Sequence, residues 1–291
     1  MTFRRNVRLN PGQVRDLRGR GVRRGGVAVG GGLGGLILIA LLLFMGGDLG
    51  DLVGGGGGTG GGAVTAQGDT DLDEECRTGE DANRRQDCRI VGYVNSVQAY
   101  WQQAFEAAGQ SYTTADTVLF TDAVNTACGG ASSAVGPFYC PLDQTIYIDL
   151  GFFEVMEQRL GAQGGELAEA YVIAHEYGHH VQNLLGLLDA GRDAGAEGGA
   201  VRTELQADCF AGVWAGNAVE TGYIEPLTRE QINQALDTAA AIGDDRIQEQ
   251  TQGQVNPETW THGSSEQRQE WFTRGLERAD PNACDTFDAD I

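Results

Sequence analysis

The chain has no lysine. Every one of its 20 basic residues is arginine, set against 41 acids, and the net charge is -21. A balance this acidic excludes a general nucleic-acid binder, because phosphate contacts need a positive surface. There is no C-x-x-C pair, which sets aside a cysteine-rich zinc module, and no internal repeat. Histidine is scarce too: the chain has four, His175, His179, His180 and His262. Apolar residues are not short. At 41% of 291 residues they supply a packed core, so wholesale disorder is excluded.

Positive charge gathers at one end. Residues 1–47 hold eight Arg and one acid, Asp16, a net +7 that leaves -28 for the rest of a chain totalling -21. Gly25 to Gly47 carries no charge and contains the unbroken apolar run Leu36 to Phe44. About 20 apolar residues cross a bilayer as a helix. Arg20, Arg23 and Arg24 precede the run and Asp48 and Asp51 follow it, and basic flanks stay in the cytoplasm. This predicts a basic cytoplasmic tail (1–24), one transmembrane helix (25–47), a Gly-rich linker (48–75) and an extracytoplasmic body (76–291). The Gly-rich stretch from Gly46 to Gly68 would reach roughly 25 Å as a random coil. A cleaved signal peptide is the rival reading, and either one exports the body.

The cysteines agree with export. Cys76, Cys88, Cys128, Cys140, Cys209 and Cys284 are even in number and lie in the body. Local spacing favours Cys76–Cys88 and Cys128–Cys140, leaving Cys209 with Cys284; buried free thiols are the alternative.

Periodicity places the elements. Tyr93 to Ala108, Phe152 to Leu160, Glu166 to Leu185 and Ala200 to Val219 read as helices. Thr117 to Phe120 and Thr145 to Asp149 read as strands, and Leu187 to Gly199 as a loop. Thr228-Arg-Glu-Gln231 and Ser264-Ser-Glu-Gln267 have the capping-box form that opens helices. The class is α+β, mostly helical with a small sheet.

Chemistry concentrates in His175-Glu176-Tyr177-Gly178-His179-His180. Residues at i and i+4 share a helix face, so His175 and His179 can grip one Zn²⁺, with Glu176 beside the open position as general base and then acid. A solvated polar helix is the bland alternative, but Ala170 to Ala174 and Val181 are apolar. Imidazoles and a carboxylate on a buried helix need partners. His180 sits further round, facing a second layer or solvent. On the next helix Glu204 and Asp208 share a face. Glu204 is the expected third ligand, and Asp208 the acceptor for the far nitrogen of a ligand histidine. Glu197 and Glu220 are fallback ligands. His262 is a candidate donor to an oxyanion, or else a capping or packing histidine. Arg268 is a candidate partner for Asp208.

The strings Ala174 to Gln182, Glu204 to Gly212 and Thr261 to Arg268 together resemble the predicted neutral zinc metallopeptidases of bacterial membrane-anchored proteins. The H-E-x-x-H then E-x-x-x-D order is similar to gluzincins. The resemblance implies a zincin-like domain, zinc held by His175, His179 and Glu204, catalysis by Glu176 and His262, and Asp208 behind the ligands. It implies a peptide or protein substrate, with the membrane as partner through the N-terminal helix and no nucleic acid. Thr145 to Asp149 would align an extended peptide. The competing readings are a non-catalytic, zinc-stabilised module binding peptide or cell-wall material, a protease adaptor, and a zinc hydrolase for another bond. Glu176 discriminates, since a structural zinc needs no base.

Overall fold

Four helices carry the core, and each buries the apolar stripe its sequence predicts. The computed structural model describes residues 1–19, 72–188 and 191–291. In α1 (Gln86–Ala107), Val91, Val94, Val97, Trp101 and Phe105 are buried. The helix starts seven residues before the expected Tyr93, because Asp87, paired with Arg85 and Arg18, anchors a first turn that apolar periodicity does not mark. α2 (Gly151–Arg159) follows the sheet, and α3 (Glu166–Leu185) and α4 (Gly199–Asn217) form the centre. α5 (Arg229–Ala241) and α7 (Ser265–Arg278) both open on the expected capping boxes, with α6 (Asp244–Gln252) between them. Trp101 and Trp214 are fully buried where α1 and α4 meet. Truncating either to Ala would cost about 3–5 kcal/mol.

α4 and α7 touch backbone to backbone. A Cβ at Gly275 would sit 2.0 Å from the Cys209 carbonyl oxygen, and one at Gly212 would sit 2.1 Å from that of Phe272. Glycine is required there by contact, not by flexibility.

The main sheet has the order β1 (Val14–Asp16), β2 (Asp116–Phe120), β6 (Thr145–Asp149), β5 (Phe138–Cys140), all parallel except β5. A separate hairpin joins β3 (Ala123–Thr126) to β4 (Gly129–Ser132). The three disulfides are Cys76–Cys88, Cys128–Cys140 and Cys209–Cys284, as local spacing favours. They tie the residue after the short helix Leu72–Glu75 to α1, the hairpin to the edge strand β5, and the C-terminal tail to α4.

Two expectations change. The segment read as a tail apart from the body docks on it: Phe3, Leu9 and Val14 are buried, and β1 extends the sheet. Its arginines mark it as basic, but its few apolar residues pack. β6 lies inside the sheet with both edges paired, so it has no free edge for a peptide; that edge belongs to β5. The expected membrane helix (25–47) and residues 48–71 of the linker lie outside the described residues. Among the described residues, no helix is long and apolar enough to cross a membrane.

Candidate metal centre

The i, i+4 spacing on α3 brings the rings of His175 and His179 to 4.7 Å, nearly perpendicular to each other. Across from them, α4 supplies Glu204, whose Oε2 lies 3.1 Å from His175 Nε2 and whose Oε1 lies 3.5 Å from His179 Nε2. One ligand atom from each of His175, His179 and Glu204 falls within 4.8 Å of the others. The close approach of α3 and α4 depends on Gly178, where a Cβ would stand 2.9 Å from Ala207 Cα.

Each imidazole is held from behind. His175 Nδ1 donates to Asp208 Oδ1 at 2.8 Å, and His179 Nδ1 donates to Gln182 Oε1 at 2.9 Å. Both Nε2 atoms are thereby turned toward Glu204. Asp208 is fully buried and also accepts from Arg268 Nε and Nη2, at 2.8 and 3.0 Å, and from Tyr171 Oη. Gln182 is locked in turn by donating to the Thr203 carbonyl and to Gln206.

The electrostatics fit a cation. Burial pulls the His175 imidazolium down, but Asp208 and Glu204 outweigh it and push the group up to about 10. Burial works against ionised Glu204, yet His179 and His175 hold it well below the usual carboxylate range. Two imidazole nitrogens and a persistently ionised carboxylate are a donor set that Zn²⁺ takes, with a fourth position left for solvent or substrate.

Glu176 is buried beside this cluster. Burial raises its proton affinity, with His179 and His175 opposing. An adjoining cavity of about 70 Å³ is bordered by His175, Glu176, Glu204 and His262 and walled by Val135, Phe152, Val172 and Ile247. His262 reaches this cavity from the loop before α7. Its Nδ1 lies 3.1 Å from Asp244 Oδ1, and Asp244 Oδ2 also accepts from the backbone N–H groups of Thr261, His262 and Gly263.

Comparison with known proteins now bears on this arrangement. A family described as "Putative neutral zinc metallopeptidase" matches residues 1–287. The chain belongs to this family. Within it, the chain is similar to Uncharacterized protein Rv2575 of Mycobacterium tuberculosis (strain ATCC 25618 / H37Rv), 56% identical over 224 residues, 74% of this chain and 75% of that one. It is also similar to Uncharacterized protein YpfJ of Escherichia coli (strain K12), 41% identical over 293 residues, 92% and 93% of the two chains. No solved structure matches.

In this metallopeptidase family member, the fallback acids Glu197 and Glu220 stand outside the ligand cluster. His180 faces neither a second layer nor solvent. It is fully buried, with Nε2 donating to the Thr113 carbonyl at 2.7 Å and Nδ1 accepting from Tyr139 Oη at 3.0 Å. Burial lowers its proton affinity, so it stays neutral and clamps α3 to β5. Sequence reasoning missed Gln182 and Asp244. Gln182 stands three residues after His179, a helical neighbour whose signal was available. Asp244 opens a helix far along the chain, and only the fold brings it to His262.

Proposed function

We propose that this protein is a zinc-dependent endopeptidase acting outside the cytoplasm. The observation that carries the reading is the convergence of the His175, His179 and Glu204 ligand atoms within 4.8 Å, beside buried Glu176 and an apolar cavity. Zinc bound by these three side chains supplies a Lewis acid for the scissile carbonyl and lowers the pKa of water.

Glu176 takes the proton of the attacking water and returns it to the leaving amine. Its burial favours this, since a carboxylate that binds protons more readily is the better base. His262, its Nδ1 proton held by Asp244, offers Nε2–H to the oxyanion. Asp208 and Gln182 fix the ligand rings. Among the described residues β5 is an edge strand of the main sheet, which suits backbone pairing with an extended peptide. The apolar cavity suits one of its side chains. Three disulfides support action in an oxidising compartment.

The test is digestion of a peptide library by the metal-loaded chain, with metal content measured in parallel. Wild type cleaves and a chelator stops it. Glu176→Gln keeps one zinc and loses cleavage by about 10²–10⁴-fold, the usual contribution of a general base. A zinc-loaded wild type that cleaves nothing would return the site to a binding module.

A further inference from the structure

The N-terminal segment is knitted into the body at every level. The Phe3 ring is buried 5.2 Å from that of Tyr93, and a Cβ at Gly92 would come within 2.4 Å of it, so α1 leaves a notch for this side chain. The Phe3 backbone exchanges hydrogen bonds of 2.8 and 2.9 Å with the Asn83 amide. Asn10 does the same with Asn95, at 2.7 and 3.0 Å. β1 then pairs in parallel with β2, from Val14 opposite Thr117 to Asp16 opposite Leu119. Arg18 closes the segment by pairing with Asp16 and with Asp87 of α1, at 2.6 and 3.0 Å.

The chain therefore leaves the body beside Asp87. It returns at Leu72–Glu75, which packs on α1 and on the turn Pro11–Gln13 just before β1. Departure and return are neighbours on one face. Between them the sequence holds the apolar run of residues 25–47. One crossing of the bilayer by that run would set residues 1–18 and 72–291 on opposite sides, and β1 would be unable to reach β2. Two crossings would need about 20 apolar residues each, and the run has length for one.

We propose that the N-terminal segment and the catalytic body lie on the same side of the membrane. This is independent of the peptidase reading.

Arg15 and Asp116 form an exposed ion pair across β1 and β2, 3.3 Å apart. The native cysteines are all paired, so introduced thiols report alone. In the full-length chain expressed in cells, Arg15→Cys and Asp116→Cys are each treated in intact spheroplasts with a membrane-impermeant maleimide. The expected result is the same pattern at both positions, either both labelled or both shielded until the membrane is permeabilised. Labelling of one with shielding of the other overturns the proposal. In the double variant, with a protease site placed among Gly60 to Gly62, a short bifunctional maleimide applied to membranes should hold the two fragments together after cutting. Fragments that separate, although both thiols have reacted, overturn it equally.

Discussion

At the scale of single residues, the site divides into groups the sequence announces and groups only the fold supplies. His175, Glu176 and His179 are legible because a helix puts i and i+4 on one face, and Glu204 with Asp208 because an apolar helix has no other use for two acids. Asp244 is silent in the sequence, an acid in a helix's first turn like many others. Yet it sets the state of His262. Burial pulls the His262 imidazolium down, and Asp244 more than restores it, so the group holds its proton above the ordinary histidine range. Burial opposes the Asp244 carboxylate too, and His262 keeps it ionised. If His262 acts as a donor, activity falls on the alkaline side as this proton leaves. Asp244→Asn removes the counter-charge while keeping a carbonyl for the backbone N–H groups, so the alkaline limb of kcat/KM should move to lower pH. A limb left in place would remove His262 from catalysis.

At the scale of elements, the long helices follow from periodicity, and Glu166–Leu185 and Thr145–Asp149 have the bounds their sequence predicts. The short strands do not. β1 and β5 are three residues each, too brief for alternation to register, and β5 hides between turn signals at Pro137 and Pro141. Helix separation is another property invisible to periodicity. Glu204 reaches the α3 imidazoles because Gly178 lets α4 approach, with Ala207 Cα and carbonyl oxygen at 2.9 and 3.0 Å from a would-be Cβ. Both contacts are near backbone, so they yield only if the helices part. Gly178→Ala should therefore weaken zinc binding on the order of tenfold or more, the range seen when ligand orientation is disturbed. Competition against a chromophoric chelator measures this. Unchanged affinity would mean that the helix spacing is not what sets the third ligand's reach.

At the scale of the whole molecule, the α+β class, the disulfide pairing and the body's core were readable from composition and spacing. The docking of residues 1–18 was not, since eight arginines in residues 1–47 look like a tail until Phe3, Leu9 and Val14 are seen inside. The proposed zinc ligands come from α3 and α4, the two central helices, so occupancy should be felt globally. A ligand at a hundredfold excess over its Kd adds about 2.7 kcal/mol, and in a domain of this size that is roughly 5–10 °C in Tm. Calorimetry of metal-loaded and chelated protein should show a loss of this order, reversed by added zinc. Identical melting curves would argue against a metal shared between these helices.

The fastening of His180 to Tyr139 and Thr113 pins the helix that carries His175 and His179 to an edge strand through an uncharged ring. At another boundary of the cavity the Asp244 carboxylate grips three consecutive amides, so the loop that carries His262 is fixed by an acid from a different helix.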